Sequence, residues 1–178
     1  MSIFKLNDGE TLVIRKAEVG DALGIVSYID QISKETEYLT FGEGEFGISE
    51  EEEAEFIKEI SKSDNGLMIC AFIDNIIVGQ LVFRGGKRPR IRHTGEFGVS
   101  VLKKYWGLGI GRKLMEYMLS WAKESSVIRK VNLKVRSDNQ AAISLYESLN
   151  FAYEGTITRE FFINGIFYDS IHMGKEIG

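Results

Sequence analysis

The sequence predicts a mixed α/β protein in which helices cover a central β-sheet. Two observations predict this class: extended, β-branched runs alternate with segments of helical period, and turns containing glycine or asparagine separate them. With 178 residues, of which 44% are hydrophobic, the chain can bury a sizeable core. We therefore expect a single domain over residues 1–178.

The first elements are predicted to be one strand and two helices. Residues 11–15 read as the first strand, and Asp21 is predicted to cap the helix that follows. The apolar side chains of that helix recur with a period of 3.6 residues: Ala22, Ile25, Val26, Ile29 and Ile32. Ser49 and Glu52 form a capping box, which predicts a second helix that ends near Ser61.

Six further strands and two helices are predicted in the remaining chain. In chain order, the strands lie at residues 67–73, 76–83, 93–101, 131–135, 151–162 and 166–173. The helices lie at residues 109–124 and 139–149. Two strand pairs read as hairpins, because Asp74-Asn75 and Asn164-Gly165 favour the tight turns that join antiparallel strands.

Composition and charge exclude several functional classes. The formal net charge of −4 at pH 7 argues against a general nucleic-acid-binding protein. The lone cysteine, Cys70, rules out a disulfide framework, and no apolar run approaches the roughly 20 residues that span a bilayer. The first residues lack a signal-peptide profile. We expect a cytoplasmic protein that binds neither nucleic acid nor membrane, while the basic stretch 87–92 leaves an RNA-binding alternative.

A glycine-rich loop joins a predicted strand to a predicted helix: Tyr105-Trp106-Gly107-Leu108-Gly109-Ile110-Gly111-Arg112. Glycine lets backbone N–H groups approach a ligand closely, and a helix start adds unpaired donors and a positive dipole end. These are the properties of a phosphate-binding loop. Walker A would need Lys-Ser or Lys-Thr where Arg112-Lys113 stand, and the Rossmann spacing would need glycine at Arg112. A tight, closely packed turn would give the same pattern.

A second polar pattern lies on the last predicted helix. Asn139 and Tyr146 are seven residues apart, about two helical turns, so they share one face of the helix. A structural interpretation makes Asn139 a helix cap and Tyr146 a half-buried packing residue.

Together the two segments resemble the Gcn5-related N-acetyltransferase (GNAT) family over about residues 93–173. The family's loop, Gln/Arg-x-x-Gly-x-Gly/Ala, is matched by Gly109 and Gly111, with Trp106 in place of Gln or Arg. The family's later signature is Asn-x-x-Ala-x-x-Leu-Tyr-x-x-x-Gly-Phe. Its matching residues are Asn139, Ala142, Leu145, Tyr146 and Phe151. Asn150 replaces the signature's glycine and tolerates the same left-handed helix cap.

The resemblance implies a single N-acetyltransferase domain with a GNAT-like fold. The expected fold has a central, mostly antiparallel sheet of about six to seven strands, flanked by about four helices. The final hairpin is similar to the branch that contains ribosomal-protein and polyamine acetyltransferases. The co-substrate would be acetyl-CoA, with no metal. The acceptor would be an amine of a small molecule or a protein, and a homodimer is compatible with the family.

The resemblance also implies which residues bind acetyl-CoA. Its pyrophosphate would lie on backbone N–H groups of the glycine loop. The loop residues assigned to cofactor binding are Trp106, Gly107, Leu108, Gly109, Ile110, Gly111 and Arg112. The backbone at Val99 and Val101 would pair with the pantetheine arm, and Asn139 completes the assigned set.

The implied reaction is attack of an amine nitrogen on the thioester carbonyl. Tyr146 occupies the family's position for protonating the departing thiolate. Glu96 resembles the acidic residue that acts as general base, with His93 or water as alternatives. The Val101 N–H is the expected oxyanion donor. A bulge expected in this strand would change which face carries Glu96.

The acceptor site has fewer sequence signals. The stretch after the first helix is rich in aromatic and acidic residues that suit a cationic amine: Tyr38, Phe41, Glu43, Glu45 and Phe46. His172 is interpreted as structural. Two other functions stay open, a catalytically silent CoA-binding sensor and an RNA- or ribosome-associated binding module.

Overall fold

The computed structural model describes residues 1–6 and 9–178. Within this part of the chain, eight strands and four α-helices form a mixed α/β fold. The strands are β1 (Ser2–Lys5), β2 (Thr11–Lys16), β3 (Gly66–Ile73), β4 (Ile76–Gly85), β5 (Thr94–Val101), β6 (Lys130–Arg136), β7 (Ala152–Ile163) and β8 (Ile166–Glu176). The helices are α1 (Ala22–Glu35), α2 (Glu50–Lys62), α3 (Ile110–Glu124) and α4 (Gln140–Ser148).

All eight described strands belong to one sheet with the order β1-β2-β3-β4-β5-β6-β8-β7. Every neighbouring pair is antiparallel except β5 and β6, which run parallel. The predicted α/β class, with a mostly antiparallel sheet and four flanking helices, is confirmed. The number of strands exceeds the expected six to seven.

The additional strand is β1. Residues 11–15 form a strand as predicted, but it is β2, the second strand of the chain and not the first. β1 pairs with β2 from Ser2↔Ile14 to Lys5↔Thr11 at one edge of the sheet. Ile3 is 61% exposed, and Phe4 is the apolar side chain that packs against the core. A four-residue edge strand with so little buried surface gives no usable alternation in the sequence.

The starts of α1 and α2 show how a predicted cap can fail or hold. Asp21 precedes α1 as predicted, but its side chain makes no cap hydrogen bond. Its carboxylate instead accepts bonds from the Arg15 guanidinium at 2.6 and 2.8 Å and from the Glu18 N–H at 2.8 Å. Two bonds from a guanidinium are stronger than one cap bond from a backbone N–H, so the ion pair determines the orientation of the carboxylate. Ser49 and Glu52 form the reciprocal capping box predicted for α2.

Each face of the sheet is covered by two helices. One buried cluster joins α3 and α4 to the sheet and includes Phe83, Phe97 and Leu114. The other joins α1 and α2 to the opposite face and includes Ile25 and Ile57. No helix of residues 1–6 and 9–178 is long and apolar enough to cross a membrane.

Both predicted hairpin turns are confirmed. Asp74 and Asn75 have φ of 50° and 64°, while Asn164 and Gly165 have φ of 50° and 81°. Two successive positive φ values define the turn whose twist matches that of the flanking strands. The second hairpin joins β7 to β8 at the edge of the sheet, beside the strand pair that opens into the candidate site.

Candidate active site

The site begins where the parallel strands β5 and β6 separate. Their pairing covers Thr94↔Lys130 to Glu96↔Asn132, although β5 continues to Val101 and β6 to Arg136. Because the strands are parallel and paired near their starts, the gap between them opens toward their carboxyl-terminal ends. α3 and α4 follow those ends in the chain, so both helices begin beside this gap.

The backbone of β5 presents hydrogen-bonding groups to the gap. The Leu102 N–H donates to the Val78 carbonyl of β4 at 2.9 Å. Backbone groups of an extended strand alternate in direction, so those of Val99 and Val101 point away from β4 and toward the gap. The register with β4 runs without a shift from Gly79↔Val101 to Gly85↔Gly95, so the expected bulge in β5 is not present in this pairing.

The glycine loop leaves the start of α3 without a side-chain cap. Gly107 and Gly109 adopt left-handed φ of 78° and 77°, and Gly109 is the residue that precedes α3. No side chain of residues 1–6 and 9–178 bonds to the first N–H groups of α3. The first intrahelical bond runs from the Lys113 N–H to the Gly109 carbonyl at 3.1 Å. Within the described chain, the N–H groups of Ile110, Gly111 and Arg112 therefore have no partner and are donors at the positive end of a helix dipole.

Side chains around the loop have structural partners. The indole N–H of Trp106 donates to the Val101 carbonyl at 2.6 Å, which fastens the loop to the end of β5. Ile110 is buried and Leu108 packs against the core, so their side chains are occupied and only their backbone is available to a ligand. Arg112 donates to the Ser148 hydroxyl of α4 at 2.6 Å. The cofactor contacts predicted for these residues stay predictions.

Tyr146 packs among aromatic rings on the α3–α4 face of the sheet. Its ring centroid is 6.1 Å from those of Phe97 and Phe151, at interplanar angles of 80° and 61°. The residue is 7% exposed, and burial raises the pKa of its hydroxyl to about 12. The phenol therefore keeps its proton at neutral pH, as a proton donor requires.

Asn139 caps the helix that carries Tyr146. Its Oδ1 accepts a hydrogen bond from the Ala142 N–H at 3.3 Å. Asn150, at the other end of α4, has φ of 60°, the left-handed conformation predicted from its place in the motif. The structural interpretation of Asn139 is thus realised, and its assigned contact with the cofactor stays a prediction.

Glu96 lies on the opposite face of β5 from the rings around Tyr146. Its neighbour Phe97 points into the α3–α4 core, so the exposed Glu96 side chain lies on the α1–α2 side of the sheet. It is located where β5 and β6 begin to separate. His93 lies before β5, at the paired end of the strands, where its carbonyl accepts bonds from the Arg129 and Lys130 N–H groups.

A polar cluster that the sequence analysis did not identify lies beside Glu96. The pairing of β7 with β8 is irregular between Ile157 and Phe161, and Arg159 has a positive φ of 56°. The bulge directs the Glu160 carboxylate onto Lys134 at 3.1 Å and onto the Ser170 hydroxyl. A regular strand pattern carries no signal for such a bulge.

Charge pairing fixes the ionisation of this cluster. The Ser170 hydroxyl and the Lys134 ammonium hold the pKa of Glu160 below its ordinary value, and Glu160 in turn raises the pKa of Lys134. The charge of Glu96 also acts on Lys134. His172 Nε2 is buried 3.8 Å from Glu160 and has no hydrogen-bond partner among the described residues.

In the aromatic and acidic loop after α1, the carboxylates of Glu43 and Glu45 already have partners within or beside the loop. Glu45 accepts a hydrogen bond from the Gly42 N–H at 2.7 Å, and Phe41 packs on Phe46 with ring centroids 4.6 Å apart. Glu43 lies 3.8 Å from the Lys34 ammonium.

No group of three or more His, Cys, Asp or Glu residues in the described parts of the chain could hold a metal ion.

Two parallel strands separate beside a helix that is uncapped and preceded by glycine. This arrangement suits an extended ligand that carries phosphate. The model of the Acetyltransferase (GNAT) family matches residues 26–151, more than half of the chain. The chain therefore belongs to the GNAT acetyltransferase family, as its two motifs predict.

Individual relatives agree with this assignment. The structure of an acetyltransferase of the GNAT family from Streptococcus pneumoniae superposes with a TM-score of 0.91 at 34% identity, covering 94% of this chain and 99% of that chain. The L-amino acid N-acetyltransferase AaaT of Escherichia coli K12 is 30% identical over 107 residues, 60% of this chain and 66% of that protein. A spermidine N(1)-acetyltransferase of Vibrio cholerae is 33% identical over 79 residues, 44% of this chain and 46% of that protein. The chain thus matches less than two thirds of the length of either enzyme.

Proposed function

We propose that the protein is an acetyl-CoA-dependent N-acetyltransferase. The observation that carries this proposal is the gap between β5 and β6 beside the uncapped start of α3. The unpaired N–H groups there suit a pyrophosphate, and the gap-facing backbone at Val99 and Val101 suits the amide-bearing pantetheine arm. Acetyl-CoA would supply the thioester carbon that an acceptor amine attacks.

Tyr146 is the proposed general acid. Its phenol lies buried on the α4 side of the gap, and its raised pKa of about 12 keeps it protonated at every ordinary assay pH. It would donate this proton to the departing thiolate sulfur. The Val101 N–H, directed into the gap, is the proposed donor to the oxyanion of the tetrahedral intermediate.

Glu96 is the proposed general base, acting directly or through water. Its carboxylate and the Tyr146 phenol lie on opposite faces of β5, the strand that borders the gap. A primary amine with a pKa of about 10 is mostly protonated at pH 7, so it must lose a proton before it attacks.

We propose a small cationic amine as the acceptor. Glu96 and Glu160 both act on a single ammonium, Lys134, which leaves net negative charge on this side of the gap. A negative wall attracts a cationic amine and disfavours an anionic one. Spermidine, named for one relative, belongs to this class, whereas the L-amino acids named for the other also carry a carboxylate.

The test is release of free CoA thiol from acetyl-CoA with a panel of acceptors. The panel contains L-amino acids, spermidine and a short peptide with a free amino terminus, and mass spectrometry identifies the product. We expect turnover with at least one cationic small amine and weaker turnover with the peptide. Binding of CoA without turnover on any acceptor would support the sensor alternative instead.

The RNA-binding alternative is tested separately. Arg92 of the basic stretch pairs with Asp64 at 2.5 Å, which leaves Lys87, Arg88 and Arg90 as its remaining exposed cations. Filter binding to RNA across a salt series should show no salt-sensitive binding in the micromolar range.

Cytoplasmic location, a homodimeric state and a single domain over residues 1–178 stay predictions.

A further inference from the structure

Arg136 lies at the end of β6, where the gap opens, and is 6% exposed. Its guanidinium carbon lies 4.5 Å from the ring centroid of Tyr38 and 4.2 Å from that of Tyr168. Nε and Nη2 donate to the Asp138 carboxylate at 2.6 and 3.0 Å, and Nη1 donates to the Glu37 carbonyl at 3.1 Å. One buried cation thus joins the loop after α1 to β6, β8 and the segment that begins α4.

The loop attached by Arg136 spans residues 36–49, between α1 and α2, and is called here the 36–49 loop. A second bond fastens it at the same place, because Asn164 in the β7–β8 turn donates to the Glu37 carboxylate at 3.1 Å. Just before the loop, Glu35 accepts a bond from the Lys103 N–H, which follows the end of β5, at 2.7 Å. The loop is therefore held across the open end of the gap from both sides.

We propose that Arg136 is a positioning residue that holds the 36–49 loop against β6 and β8. The loop, which Asn164 also joins to the β7–β8 turn, would form the wall of the acceptor entrance. This role rests on the proposed N-acetyltransferase function. Arg136 touches neither the glycine loop nor Tyr146, so its loss should alter acceptor binding and leave acetyl-CoA binding intact. The ion pair between Arg136 and Asp138 also joins the same network to the segment just before α4.

Only arginine can make this set of contacts. A planar guanidinium stacks between two rings while its edge donates to a carboxylate and a carbonyl. A lysine would retain the positive charge but would lose the stacked plane and the bidentate bond. Arg136→Lys is therefore the informative change, and Tyr38→Leu removes one ring of the stack at a residue that is 40% exposed.

The experiment combines limited proteolysis with steady-state kinetics on the full chain. A glutamyl-specific protease can cut the 36–49 loop after Glu37, Glu43 or Glu45. We expect Arg136→Lys to be cut there several times faster and to raise the KM for the acceptor roughly tenfold, with the KM for acetyl-CoA changed less than about twofold. Tyr38→Leu should show the same pattern more weakly, and the exposed control Arg90→Lys should show neither change.

Each outcome decides the proposal. Unchanged cleavage and an unchanged acceptor KM in a folded Arg136→Lys variant would overturn it. Equal increases in both KM values would indicate a general structural role instead. If Arg136→Lys does not fold, Tyr38→Leu decides by the same two measurements. If no acceptor is turned over, the proposed function fails, while faster cleavage would still show that Arg136 holds the loop.

Discussion

The starts of α3 and α4 lie beside the same gap but are built in opposite ways. Asn139 precedes α4, and its side chain caps the helix internally. Gly109 precedes α3 and offers no side chain, so the first N–H groups of α3 have no partner among the described residues. We call α4 the closed helix, because its start is capped and it carries the buried Tyr146 phenol. We call α3 the open helix, because its start is uncapped and presents hydrogen-bond donors. The comparison separates a helix that positions a chemical group from a helix that receives a ligand.

The largest effect should follow from removing the phenol that α4 carries. Tyr146→Phe deletes the proposed proton donor and leaves the ring packed against Phe97 and Phe151. We expect kcat to fall about 100-fold or more, the usual contribution of a general acid, with CoA affinity unchanged. Steady-state kinetics and calorimetry measure the two quantities. Tyr117→Phe, on α3, is the matched control, and equal kcat for both variants would remove Tyr146 from the mechanism.

The next effect should come from the open helix. Gly109→Ala puts a side chain at φ of 77°, at a cost of roughly 1–2 kcal/mol, and displaces the first N–H groups of α3. We expect CoA affinity to fall about tenfold by calorimetry. Gly111→Ala is the control, since its Cβ would meet Leu145 at 3.7 Å and Val101 at 4.0 Å, which are ordinary contacts. Equal losses of CoA affinity in both variants would contradict the proposal that the first N–H groups of α3 bind the pyrophosphate.

The closed helix should respond in stability more than in CoA binding. Asn139→Ala removes the cap of α4 and should cost about 1 kcal/mol, or about 2–4 °C in Tm for a chain of this length. Asn139→Asp should restore most of the loss, because a carboxylate also caps. Thermal unfolding measures both variants. A large loss of CoA affinity in Asn139→Ala with unchanged Tm would instead favour the cofactor contact predicted for this residue.

The local patterns of the sequence predicted more of the glycine loop and α4 than of the acceptor side. Gly109, Tyr146 and Asn150 act through backbone conformation or position within one helix, so their spacing carries the signal. Glu160 and Arg136 gain their roles from a bulge and from contacts with distant segments. Arg136 contacts Glu37, 99 positions away, and no local periodicity reports such a pairing.

The smallest effect should be that of alkaline pH on the proton donor. Burial raises the pKa of Tyr146 to about 12, so the phenol stays protonated far above neutrality. An acceptor amine and its base lose protons as pH rises, so kcat/KM should increase with pH and then level off. Tyr146 should cause no decline below about pH 10, where an ordinary tyrosine would be half ionised. A decline in kcat at about pH 10 that vanished in Tyr146→Phe would show that the phenol has the ordinary pKa of a solvent-exposed tyrosine, and that α4 is as open to solvent as α3.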